Sequence, residues 1–444
     1  MKTFFILFFA CAFLPLNAQV EVRTYYDPNE KELIKEVFHV KKTEPDIRIG
    51  EYRMFHLNGA LAMTGMYEDG LRNGSFKEFY ENGKLQRAIN YIQGSKEGPV
   101  EVYDENGHTI QKALFVEDKL VDSLYMYYAD GAIRSKGFFV EGNPEGLMYE
   151  YWPNGNLKQE MTFKEGKQNG PARTWYEDGV LQTKGNYKYG VPHGYFYTYF
   201  PNGALETESA IEEGEKTGVF KEYDIEGHLL LEAYYKNGYL EGPNKGFYPD
   251  GNPRHVLHYE EGQLTGVNSH YYENGKLRIK EEILNKQGDK KIAEYHEAGY
   301  KTVDKEFRNN KPAGEWVYYH PNGNKKRHEI YDKGMINGIR TDYDSLGRVK
   351  LETTYTYNIQ TGEVRSYNEQ GGLVYTQQYK NGNKQGEYKA FYPNGKVKTE
   401  GQYMLGRETG IWNLYDETGK LVELEIYKNG KFIERKKPEK DEGK

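Results

Sequence analysis

One glycine recurs every 24 residues, with no insertion or deletion, from residue 59 to residue 419. Its sixteen positions include Gly59, Gly83, Gly155, Gly179, Gly323 and Gly395. A fixed period of this order marks an array of small supersecondary units, each too small to fold alone. Two more glycines keep the same clock. The second lies eleven residues after the first and is Gly in twelve of sixteen copies; the exceptions are Asp118, Lys286, Asn310 and Asn358. Asn and Asp tolerate a left-handed backbone better than other side chains, so this position is expected to need a positive φ. The third, four residues after the second and running from Gly50 to Gly410, fails only at Asp122 and Lys290.

Aromatic residues obey the same period. The residue four before the first glycine is aromatic in every copy, from Phe55 and Phe79 to Phe391 and Tyr415. The residue eight after it is aromatic except at Ile211 and Ile283. Hydrophobic residues are only 37% of the chain, and 42 Tyr and 20 Phe take much of that share. Aliphatic side chains are too few for a thick core, and rings too many for disorder. A thin sheet carried by amphipathic Tyr reconciles the two.

Asn or Asp precedes the first glycine in eleven of the sixteen copies. Asn-Gly or Asp-Gly between short runs of Tyr, Phe and Val is a strong hairpin signal, so a tight turn with positive φ is expected there. The Gly-x-x-x-Gly stretch, such as "GKQNG" at 166–170, is expected to form a looser return loop. Sustained helical periodicity is absent. The expected fold is all-β: an elongated single-layer antiparallel meander, or solenoid, of about sixteen 24-residue β-hairpin repeats. Two stretches break the rhythm, "NKQGDKK" (285–291) and "TYNIQTG" (356–362), and are either drift or specialised loops.

The ends differ from the middle. Residues 1–18 read as a signal peptide: Lys2, an apolar run from Phe4 to Leu16, and small Ala18 before Gln19. That run is short for a membrane span, so no transmembrane segment is expected after cleavage, and the protein is expected to be exported: periplasmic, outer-envelope-associated or secreted. Cys11, the single cysteine, leaves with it. Residues 19–49 read as a degenerate N-terminal capping hairpin turning at Pro28-Asn29, residues 50–430 as the array, and residues 431–444 as a charged tail in which Pro438 discourages pairing.

Phrases such as "YKNGNKQGEYKAFYPNGKVKTEGQY" (379–403), "FRNNKPAGEWVYYHPNG" (307–323) and "YWPNGNLKQEMTFKEGKQNG" (151–170) resemble MORN-variant repeats, including those of bacterial proteins grouped as toxin–antitoxin YwqK-family antitoxins. The resemblance spans about residues 50–430. It implies a β-hairpin array that binds proteins or lipids, and the antitoxin grouping implies a cytoplasmic role, at odds with the signal peptide.

Chemistry is sparse. His255 and His258 are three apart on a strand and are expected on opposite faces, which prevents shared chelation. His296 and His320 share a repeat position and are expected to stand in for Tyr. No nucleophile elbow or phosphate loop is present. No catalytic residue, cofactor or metal is expected, and a formal charge of −7 with interspersed signs argues against nucleic acid. Aromatics that vary between copies, namely Tyr128, Trp152, Tyr176, Tyr248, Tyr272 and Tyr392, are the candidate binding surface. The expected function is a non-enzymatic scaffold binding another protein or envelope component. Glycan binding through exposed Tyr and Trp is one alternative, and inhibition of a partner protein the other.

Overall fold

The computed structural model describes residues 19–438. The expected signal peptide and residues 439–444 lie outside them. Among the described residues there are 41 strands and no helix, and they form one open antiparallel sheet laid out as a hairpin meander. The chain divides into two compact units between Glu215 and Lys216.

The first and second glycines both sit in turns, but the turn types are exchanged relative to expectation. At the first glycine the hairpin closes through a three-residue loop. His56 N donates to Ala60 O, Gly59 N to His56 O, and only Gly59 has positive φ. That is a type I turn followed by a left-handed residue. The two-residue turn lies eleven residues later, where Asp69 (φ 48) and Gly70 (φ 81) are both left-handed and Glu68 pairs with Leu71. Two consecutive positive φ values define the mirror-image turn that matches strand twist. Asp118, Asn310 and Asn358 take φ of 66, 59 and 66, as their type predicts.

The third glycine marks a bulge inside the hairpin, not a loop. Thr64 pairs with Lys77 and Tyr67 with Arg72, so three steps on one strand face five on the other. Gly74 (φ 80) is in the excess, and Asp122 (φ 59) replaces glycine at the equivalent place. Lys286 and Lys290 identify the exception. There Ile279–Ile283 pairs with Lys290–Glu294 without any register shift, and Leu284 N donates to Asp289 O across a wider loop. Losing the bulge removes the need for its glycine. The 356–362 stretch keeps the ordinary turn and bulge, with Gly362 at φ 65.

One face of each unit carries the core. In the first unit Tyr52 pairs with Gly65, Phe76 with Ile89 and Val100 with Ala113. Phe76 is 2% exposed because it lies over Gly65, where a Cβ would come within 2.5 Å of the ring. Tyr67 and Tyr91 meet Phe76 edge-on, at centroid distances of 5.5 and 5.3 Å. In the second unit the equivalent row includes Asn268 paired with Glu281, Trp316 with Glu329, and Val364 with Gln377. The opposite face carries a ladder of alternating charge, such as Arg173–Glu160 at 2.8 Å and Lys245–Glu232 at 3.3 Å.

The N-terminal segment forms the expected hairpin, Gln19–Tyr25 against Ile34–Lys41, turning through Asp27–Lys31. A third strand, Glu44–Phe55, continues from it into the array. At the other end Lys431–Lys436 is a strand paired with Leu421–Lys428. Residues 431–436, expected to belong to a charged tail, are therefore strand. Alternation of Phe432, Glu434 and Lys436 with Lys431, Ile433 and Arg435 suits a strand, and Pro438 lies beyond its last pair.

Candidate functional site: the turn row and an aromatic depression

The six candidate aromatics occupy one repeat position, three residues before the first glycine, at the start of the three-residue turn. All six reach the next repeat. Tyr128, Tyr176, Tyr248, Tyr272 and Tyr392 each donate their hydroxyl to the carbonyl 23 residues on, at 2.7, 2.9, 3.0, 2.9 and 2.8 Å. Trp152 does the same with its indole N–H, to Trp175 O at 3.1 Å. Each ring is thus a tie between neighbouring turns, half-buried and fixed at its polar end.

The neighbouring Asn adds a second tie. Asn154 Nδ2 donates to Glu177 O at 2.8 Å while its Oδ1 accepts from Asn156 N at 2.9 Å. This double role explains Asn before a glycine that does not require left-handed Asn. The opposite turn row is tied by main chain throughout: Gly94 N donates to Arg72 O at 2.8 Å, and the pattern recurs to Gly430 and Glu408. Side chains add to it where Glu145 Oε2 accepts from Glu165 N at 2.7 Å and Asp118 Oδ1 from Lys96 N at 2.8 Å.

Where the candidate position is Asp, the side chain turns back on its own loop. Asp104 Oδ1 accepts from Asn106 N and His108 N at 2.9 and 2.8 Å, and Asp344 does the same with Leu346 and Arg348. These amide bonds hold both carboxyls below the usual carboxylate range. Asp224, Glu226 and His228 bring three potential ligand atoms within 4.8 Å of one another. The group is this same cap, with Asp224 Oδ2 2.9 Å from His228 Nδ1.

The histidines divide similarly. His320 Nε2 lies 3.3 Å from Tyr343 O and replaces Tyr in the tie. His296 instead accepts from Ala298 N through Nδ1 and stacks on Tyr300, 4.7 Å away. His255 meets Asn244 Oδ1 at 3.0 Å, whereas His258 Nδ1 meets Val267 O at 2.7 Å, so the pair serves two separate contacts. Burial first, then the nearby Arg254 and Arg278 charges, push His255 and His270 below the usual imidazole range.

Two features escaped the sequence reading. Glu329 is 4% exposed and sits between Arg327 and Arg340, each 3.8 Å away, with Tyr331 OH donating at 3.2 Å. A carboxylate at a core-face position was visible only through strand pairing. The second is a depression of about 390 Å³ in the first unit. It is lined by Trp152, Trp175 and Tyr176 with Lys158, Gln159, Thr174, Glu177 and Gln182. Trp152 and Tyr176 are among the sequence candidates; Trp175, at the invariantly aromatic position, is not.

Exposed apolar side chains collect on the charged face. In the first unit Phe138, Leu147 and Tyr195 stand out, and in the second Val219, Tyr234, Val267, Ile339 and Ile411. Val219 pairs directly with Tyr234, while their neighbours Phe220 and Ala233 point to the core face.

No match was found among curated proteins. Solved structures that align include TcdB2-TccC3-Cdc42, at 12% identity and a TM-score of 0.15 over 94% of this chain and 26% of that one. Another is the Tc holotoxin pore of Photorhabdus luminescens, at 12% identity and 0.15 over 86% and 25%. This chain spans about a quarter of their length, and at such TM-scores the alignments bear on neither its arrangement nor its function. The family model described as MORN repeat variant matches ten segments: 72–93, 96–117, 144–165, 168–189, 216–237, 264–285, 313–333, 360–381, 384–404 and 408–429. Those matches, in step with hairpins that pair in sequence order, make this chain a MORN-variant repeat protein.

Proposed function

We propose that the protein is an exported, non-enzymatic scaffold that binds another protein at the cell envelope through its charged face. The carrying observation is the set of exposed apolar side chains there, with Val219 and Tyr234 at 45% and 44% exposure as direct cross-strand partners. Contiguous apolar surface on a soluble protein marks an interaction site. Around it the ladder of Lys, Arg and Glu supplies a polar rim of both signs, which selects partners by charge complementarity. The candidate turn-row aromatics contribute by fixing the sheet's edge, since their polar ends are already engaged within the repeat. Export rests on the leader-like residues 1–18.

The test is capture from a native envelope fraction by the mature chain, beside the variant Val219→Glu/Tyr234→Glu. The reading expects one or a few proteins retained by the wild type and lost from the variant, with unchanged melting. Equal retention by both removes the apolar pair from the interface, and a retained protein that loses toxicity on binding gives the scaffold an inhibitory role.

A further inference from the structure

The depression around Trp152 and Trp175 has the makings of a small-molecule site. Two of the chain's four tryptophans line it, with Tyr176 beside them. Trp152 and Tyr176 are held through their polar ends by Trp175 O and Tyr199 O, so their rings are set before any ligand arrives. Its volume of about 390 Å³ lies within the range of ligand pockets.

Polar groups converge on these rings. Gln182 Oε1 accepts from Thr174 Oγ1 at 3.2 Å, which leaves the Gln182 amide N–H2 without a partner among the described residues. The Glu177 carboxylate likewise has no partner among them, though its main-chain carbonyl is engaged. Lys158 Nζ lies 5.0 Å over the Trp152 ring and is neutralised by Glu150 at 2.8 Å. The lining therefore offers a free donor in the Gln182 amide, free acceptors in the Glu177 carboxylate and Gln159 Oε1, and aromatic surface, with no uncompensated positive charge.

From this we infer that the depression binds one pyranose ring of a neutral glycan. The C–H face of such a ring is apolar and packs on an aromatic surface, while its hydroxyls both donate and accept. Gln182 would donate to one hydroxyl and Glu177 accept from another. An anionic sugar meets the unpaired Glu177 carboxylate with no free cation to offset it, and is disfavoured. This inference is independent of the protein-binding face: the depression belongs to the turn row.

The experiment titrates the mature protein with neutral oligosaccharides (glucose, mannose and N-acetylglucosamine series) and a uronic-acid series. Binding is read by saturation-transfer NMR on the sugar and by tryptophan fluorescence. The expected result is saturable binding of at least one neutral series, weakened about tenfold in Gln182→Ala and in Glu177→Ala, about one hydrogen bond's worth each. Both variants should melt as the wild type does, which separates loss of binding from loss of fold. Absence of saturable binding by any neutral series, wild-type affinity in both variants, or tighter binding of the uronic acids would each overturn the assignment.

Discussion

The two units run on the same 24-residue clock yet fill their core rows with different chemistry. In the first, Phe76, Ile89, Val100 and Ala113 are buried apolar side chains. In the second, Asn244, Asn268, Glu329, Thr353 and Gln377 are buried polar or charged in the row, beside apolar Ala233, Val364 and Trp412. The first unit is organised by size: a glycine opposite a ring, as Gly65 faces Phe76 and Gly185 faces Phe196. The second mixes that device, seen where Gly401 faces Trp412, with hydrogen bonding. Asn268 Oδ1 takes the amide of His258 at 2.7 Å, beside the bulge. The repeat fixes turns and ties; what occupies the row between them is free to vary, provided neighbours compensate in volume or in polarity.

The largest effect expected is on the size-matched side. Phe76→Ala should cost about 3–5 kcal/mol, as for other buried rings, and show as early melting of the first unit. Gly65→Val, which adds bulk where no Cβ fits, should cost about 1–3 kcal/mol by overpacking. Chemical denaturation of both variants checks their order; equal and small losses would mean that the first unit does not depend on this packing.

Next comes the polar side. Glu329→Gln leaves Arg327 and Arg340 facing an uncharged amide, although Asp342 still bonds Arg327 at 2.7 Å. A loss of about 1–3 kcal/mol is expected, confined to the second unit. A variant as stable as the wild type would mean that the charge is dispensable.

Alkaline pH gives a separate test within the second unit. Burial, reinforced by Asp304, pushes Tyr319 up to about 12, and burial with Glu408 does the same for Tyr403. Both pKa values are raised, so the folded state holds protons that the unfolded state loses near pH 10. Stability is then complete below about pH 10 and falls between about 10 and 12. Asp304→Asn should shrink that loss in a melting series across this range; an unchanged slope would remove the carboxylate from the effect.

The smallest effect is expected in the turn row. Tyr176→Phe removes one donor to Tyr199 O and should cost about 0.5–1.5 kcal/mol, with increased amide exchange at the adjoining turns. No change in exchange there would show that the tie does not hold neighbouring repeats.

Much of this architecture was legible in the sequence. The perfect glycine period gave the hairpin count, and Asn or Asp at positions 118, 310 and 358 gave the left-handed backbone. The turn types were not legible. Asn-Gly suits two kinds of tight hairpin, and the residues left-handed in the two-residue turn include Tyr189 and Leu405, types that signal nothing of the kind. The role of Trp152 and Tyr176 was half legible: their variability suggested a surface, but a tie to a carbonyl 23 residues away appears only once strands are paired. The same holds for Glu329, whose burial depends on neighbours in adjacent strands.

The central claim is that each core row stabilises its own neighbourhood, as contacts limited to adjacent hairpins require. Hydrogen–deuterium exchange on Phe76→Ala and Glu329→Gln, each in the full chain, tests it most directly. The account predicts faster exchange in residues 52–100 for the first variant and in residues 303–342 for the second, with the other unit unchanged in each. Uniform loss of protection along the whole chain in either variant would contradict it.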